Sequence, residues 1–158
     1  MVIALSMLFI AGPVMADEQA FQTVSFVVGA INDISVSGDP GTMFVSAAIA
    51  GSEPEEVSDA STTYSITSTG GTDNKKITAS INSPMPTGVT LKINLDAPSG
   101  ATSSGDVDIS HATNSLDVVV FIDSIAEADK TITYKLGATV AAGVVSDSKT
   151  VTLTIADS

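Results

Sequence analysis

Val89-Thr90-Leu91-Lys92-Ile93-Asn94-Leu95 decides the fold. Its apolar residues recur at every second position, with Thr, Lys and Asn between them. Successive side chains of an extended strand point to opposite faces, so this spacing describes a strand with one face in a core and one in water. The same period runs outward in both directions. Downstream, residues 131–140 place Ile132, Tyr134, Leu136, Ala138 and Val140 on one face, and 150–156 turn Val151, Leu153 and Ile155 inward. Leu116–Ile122 is apolar on both faces and reads as a central or interface strand. Residues 107–111 form a short strand. Upstream, Ile77, Ala79 and Ile81 share a face in 76–81, as do Tyr64 and Ile66 in 62–68. Further strands are expected at 43–49 and at 23–37, the latter long and bent near Gly29 or Asn32.

Clusters of Gly, Pro, Asn and Asp punctuate these runs at 38–41, 70–74 and 83–88, the sequence pattern of an all-β sandwich or barrel. Ala and Glu gather at 53–60 and 124–129, where short helical turns are expected. A weak internal echo links Thr63-Tyr64-Ser65-Ile66 and Lys76-Ile77-Thr78 with Thr133-Tyr134-Lys135-Leu136 and Lys149-Thr150-Val151-Thr152. Both halves read as Tyr-bearing hairpins. Chance in so biased a composition accounts for the echo as well as duplication does.

Residues 2–11 are apolar apart from Ser6; Gly12-Pro13 then breaks any helix, and Val14-Met15-Ala16 precedes Asp17-Glu18. This is the pattern of a cleaved secretory signal at 1–16. The run is shorter than the ~20 apolar residues that span a bilayer. No Lys or Arg precedes it, which either a start upstream of Met1 or an incomplete N-terminus would explain. The alternative is a retained stub buried in an assembly. The expected organisation is therefore a signal at 1–16, an N-terminal strand at 17–37 and one β domain at 38–158. The chain without its signal is long enough to bury a real core.

There is no cysteine, so packing and sheet hydrogen bonds must carry the stability. Six lysines, no arginine and 18 acidic residues give a net charge of −12. A nucleic-acid partner needs a basic footprint and is excluded; an anionic membrane surface is disfavoured on the same ground. Trp is absent and only Tyr64 and Tyr134 supply phenol rings, which argues against an aromatic sugar-stacking platform.

No catalytic constellation is visible, and the chain is expected not to be an enzyme. A Ser–His–Asp triad needs a base within reach of a nucleophile. The one histidine, His111, follows Ser110. Strand alternation would place it on the face away from Asp106, Asp108 and Ser110. Zinc needs several His or Cys ligands. Calcium takes oxygen ligands, and Asp106 with Asp108, or the acidic loop with Glu53, Glu55, Glu56 and Asp59, are the candidate sets; a solvated acidic loop is the simpler reading. Lys76 and Lys92 with Asn82 or Asn94 are conceivable members of an isopeptide crosslink. The glycines at 70–71 and 100–105 lack the spacing of a phosphate loop. No cofactor or metal is expected.

The pattern from Thr131 to Ala156 resembles the last hairpin of bacterial immunoglobulin-like domains, in which an Ile-Thr-Tyr-Lys-Leu strand turns into a Val-Thr-Leu-Thr-Ile strand. The chain beyond residue 16 is also similar to secreted, cysteine-free β-sandwich proteins of microbial surfaces, among them donor-strand pilins and fibre subunits of biofilm matrices. That resemblance implies an antiparallel, immunoglobulin-like β-sandwich of about seven to nine strands behind its hydrophobic signal-like segment. It further implies an N-terminal strand that completes the sheet of the next subunit. The residues matching such a strand are Val24, Phe26, Val28 and Ala30, continued by Ile34 and Val36. The implied partners are copies of the chain in a homopolymer and a separate assembly machinery, with no stable membrane insertion of the mature chain. The implied location is the cell surface or the extracellular space. The other reading is a monomeric secreted adhesin or a calcium- or glycan-binding module. Pairing of the N-terminal strand within its own sheet is the alternative to donation.

Overall fold

The structure, a computed structural model, describes residues 19–70 and 74–158. The expected signal at 1–16 and the middle of the turn at 70–74 lie outside the described residues. Nine strands are present among those described: β1 (Asn32–Val36), β2 (Val57–Ser68), β3 (Lys75–Ile81), β4 (Val89–Leu95), β5 (Thr102–Ser103), β6 (Val107–Asp108), β7 (Leu116–Ile122), β8 (Ile125–Ala138) and β9 (Val151–Asp157). They form two antiparallel sheets, ordered β1-β2-β8-β4-β6 and β5-β7-β3-β9. The all-β, two-sheet expectation holds.

The alternation read from the sequence is what packs the sheets together. Tyr64 and Ile66 of β2, Leu91, Ile93 and Leu95 of β4, and Ile132 and Tyr134 of β8 are buried from one side. Ile77, Ala79 and Ile81 of β3 and Val118, Val119 and Ile122 of β7 are buried from the other, in one continuous cluster. The apolar doublet in β7 has a local cause. Between Ile77↔Val119 and Thr78↔Asp117, and again between Lys75↔Ile122 and Ile77↔Val119, β7 carries one more residue than β3. Such bulges re-aim side chains. They let the consecutive Val118 and Val119 both reach the core, while Phe121, at φ 61°, turns outward. A like bulge at Asp129, φ 56°, resets β8 against β2.

Four expectations are corrected. The helical turns at 53–60 and 124–129 are largely strand: Ser58 pairs with Lys135 and Ser68 with Ile125, so ladder pairing overrides the weak helical preference of Ala and Glu. Residues 43–49 make no strand, only a bridge from Ala48 to Pro54 within the β1–β2 loop. The long strand at 23–37 is reduced to β1. The stretch 131–156 is no hairpin: β8 is already paired on both edges by β2 and β4, so the chain crosses to the other sheet and β9 pairs with β3. An immunoglobulin constant domain orders its strands A-B-E-D against C-F-G, with the last beside the sixth; here the last strand lies beside β3.

This crossing gives the Tyr-bearing echo a spatial form. β2 and β8 are antiparallel neighbours in one sheet, and β3 and β9, which follow each of them, are antiparallel neighbours in the other. Neither unit is a hairpin: each spans the sandwich, and the two lie antiparallel to each other in both sheets.

The registers also define two ends. Asn32 faces Ser68, Ser68 faces Ile125, and Lys75 faces both Ile122 and Asp157. Since residues 123–124 join β7 directly to β8, all of these lie at one end, here termed proximal. Val57 with Leu136, Val89 with Ala138 and Ile81 with Val151 mark the distal end.

Both tyrosines are core residues, and the Tyr64 hydroxyl donates to the Asp96 carbonyl at 2.6 Å. Burial, with Asp96 and Glu127 nearby, pushes the Tyr64 phenol well above its ordinary value. Burial, with Asp39, pushes Tyr134 up to about 12. The folded state holds these protons more tightly than the unfolded chain, whose phenols titrate near 10. Their contribution to stability is therefore complete below pH ~10 and lost as pH rises through about 12. In an alkaline titration, tyrosinate absorbance is expected to rise in the same step in which β circular dichroism disappears. Ionisation of either tyrosine near pH 10 with the β signal intact would contradict this packing.

Candidate subunit interface

Residues 19–31 belong to no strand and are exposed throughout. Phe21, Val24, Phe26 and Val28 are each at least three-quarters exposed, and Val27 is 93% exposed. The chain joins the sandwich at Ile31, whose N–H donates to Thr69 Oγ1 and whose carbonyl accepts from the Thr69 N–H, each at 2.9 Å. β2 ends at Ser68, so upstream of Ile31 its edge offers no further ladder. That is why the alternating sequence at 23–31 does not extend β1.

The six residues expected at an interface therefore divide. Val24, Phe26, Val28 and Ala30 lie in the exposed extended segment. Ile34 and Val36 lie in β1, paired within their own sheet to Ile66 and Tyr64. Ile34 is half-buried against the core and Val36 is 54% exposed.

Other large apolar side chains are exposed at the distal end. Phe44 and Ile49 stand out from the β1–β2 loop, and Val140, Val144 and Val145 from the β8–β9 loop. The two loops touch: the Val140 N–H donates to Glu53 Oε2 at 2.6 Å. The sequence places Phe44 and Ile49 in an expected strand at 43–49 and Val140 on the inner face of one at 131–140; the structure ends β8 at Ala138 and leaves both stretches as loops, so this patch was not anticipated. The signal for it was a set of apolar residues in stretches lacking a second strand to pair with.

The polar candidates are dispersed. Asp106 accepts from Lys135 at 2.5 Å and from Asn94 at 3.0 Å, and these bonds hold its carboxyl below the usual range. Asp108 accepts from the Ser110 hydroxyl at 2.5 Å and the Ser110 N–H at 2.9 Å, which lower its pKa, with His111 and Lys92 adding smaller pulls. His111 is thus near a carboxylate, contrary to expectation: β6 stops at Asp108, and a turn replaces the alternation that would have pointed His111 away. It sits exposed at the rim of a shallow depression of about 450 Å³ with Asn114 and Leu116. Ser110 is buried, and its oxygen accepts from the Leu91 N–H at 2.8 Å, which makes it a strut between strands.

Glu56 pairs with Lys92 at 3.2 Å and Asp59 accepts from Ser61. Among the described residues no three of His, Asp and Glu converge on a point that would hold a metal ion. Lys76 pairs with Asp117, while Asn82 accepts from the Thr150 N–H and Asn94 bonds Asp106 and Ser103. All six lysines stand in ion pairs, with Asp157, Asp117, Glu56, Glu127, Asp106 and Asp147.

Set against family models, curated proteins and solved structures, the chain matches none of them.

The two halves of the interface set make opposite demands on the monomer. Phe26→Ser is expected to leave the urea midpoint of a monomeric preparation unchanged, within the ~0.5 kcal/mol typical of surface substitutions. Ile34→Ser is expected to destabilise by about 1–3 kcal/mol through lost burial against Ile66. Equal loss from both would place Phe26 in the core of its own subunit.

Proposed function

We propose that the protein is a structural subunit of an extracellular filament, pilus or surface layer. Copies join when the N-terminal segment of one is bound as an added strand by the next. The module is immunoglobulin-like in its two-sheet layering, and its activity is burial, not catalysis. The observation that carries this reading is the exposed, alternating segment at 19–31, with Val24, Phe26, Val28 and Ala30 at every second position and no strand for it in its own sheets. An isolated apolar strand is an aggregation hazard unless it is used. Bound at a sheet edge, its main chain supplies affinity and its alternate side chains supply fit. At about 25 cal/mol per Å² of apolar surface, four such side chains contribute roughly several kcal/mol per joint before ordering costs.

The test is assembly. The protein is expected to form long fibres in negative-stain electron microscopy. Phe26→Asp or Val28→Asp is expected to give a folded monomer with wild-type β circular dichroism. Monomers from the wild type, or unfolding of the variants, would make the segment an ordinary part of its own domain.

A further inference from the structure

We infer that the acceptor for this segment is the free edge of β9 in a second copy, engaged in the antiparallel sense; this rests on the donation reading above. The two sheets expose four edges: β1, β6, β5 and β9. β5 and β6 are two residues each, too short to hold a strand. β1 has five residues and carries Asp33. β9 has seven, and from Val151 to Ala156 it bears no charge. Natural edges are commonly guarded by charge, above all Lys. In a chain of net charge −12, an edge with six uncharged residues in a row ahead of Asp157 is conspicuous. The segment is uncharged as well, from Gln19 to Asn32.

The backbone of β9 is set for a partner. Asn82 N–H donates to the Thr150 carbonyl, and Ser158 N–H to the Asn74 carbonyl. In an antiparallel ladder bonded pairs alternate, so Thr152, Thr154 and Ala156 bond to β3. The main-chain groups of Val151, Leu153 and Ile155 face the free edge. The side chains of these three residues point to the core yet are only half-buried, while Thr152 and Thr154 are exposed. A strand laid alongside with Ala30, Val28 and Phe26 opposite Val151, Leu153 and Ile155 would supply the missing bonds and cover the half-open row.

Direction decides what is built. β9 runs from the distal to the proximal end, and the segment leaves its own body at the proximal end, where Ile31 bonds Thr69. Antiparallel docking on a second copy brings residue 31 to the acceptor's distal end. The donor's proximal end then abuts the distal patch of Phe44, Ile49, Val140 and Val144. This contact is head-to-tail, and repeats without closing. Parallel docking would set proximal end against proximal end and stop at a pair. Pairing of the segment with β9 of its own subunit is also parallel, because the chain must reverse at Ile31 to run into β1.

The absence of native cysteine makes a clean test. In the stated register Val27 lies opposite Thr154 in a non-hydrogen-bonded pair, whose Cα separation of about 4.5 Å suits a disulfide. The full chain carrying Val27→Cys and Thr154→Cys is assembled and oxidised. Companion variants move the acceptor cysteine to Thr152 or Ala156 to cover a slip of two residues. A ladder of multimers that collapses on reduction is expected from one of the three. A ladder ending at the dimer would overturn the antiparallel sense. Fibres without crosslinks in any of the three would overturn β9 as acceptor and leave the fibre reading standing. A crosslinked monomer, or no assembly at all, would overturn both.

Discussion

Burial along one seam between two sheets supports everything else in this molecule. With no disulfide among its residues, the sandwich is held by rows that meet face to face: Tyr64, Ile66, Ile93, Leu95 and Ile132 against Ile77, Ala79, Val118, Val119 and Ile122. Those rows fix register, because sliding any strand by one residue would bring Thr, Lys or Asn into the seam. Register in turn fixes where each strand ends. β2 must stop at Ser68 so that the chain can cross to β3, and the end of β2 is what leaves the segment before Ile31 without a ladder. The exposed N-terminal segment is thus a consequence of how the core is assembled.

What the sequence made legible follows the same physics. Strands with one wet face and one dry face were readable to the residue, as in β4, because solvent contrast writes itself into alternate positions. β7 was readable as a strand but not in its detail. Its apolar run suggested two buried faces, whereas two bulges turn consecutive residues to one side. Bulges leave only a positive φ at Phe121 and Asp129; Phe gives no sign of it, and Asp, though enriched there, is commoner at ordinary φ. The starts of β2 and β8 were misread because the conformation of each is set by the far end of the other strand across the sheet. Such pairing joins residues 58 and 135 and cannot be seen in a local window.

The interface set shows the limit more sharply. Alternation identified Val24, Phe26, Val28 and Ala30 along with Ile34 and Val36, but an apolar face has the same pattern whichever molecule covers it. Only the position of Thr69 separates the two groups, and that depends on the length of β2. The distal patch was hidden for a different reason: Phe44, Ile49 and Val140 sit in stretches that read as strands, and the structure leaves those stretches in loops without a ladder partner.

Charge closes the argument about which surface is available. Every lysine is committed to a carboxylate partner, so the remaining acidic groups give most of the surface a common sign, and copies of the chain should repel across it. Self-association then requires surfaces from which charge has been withheld. The segment from Gln19 to Asn32 and the edge from Val151 to Ala156 are such surfaces, one exposed in full and the other half-open. On the proposed assembly, acidity elsewhere would serve the same end, disfavouring sideways aggregation of apolar edges while leaving the neutral pair free to meet. A chain built this way gains specificity from where repulsion is absent as much as from where contact is good.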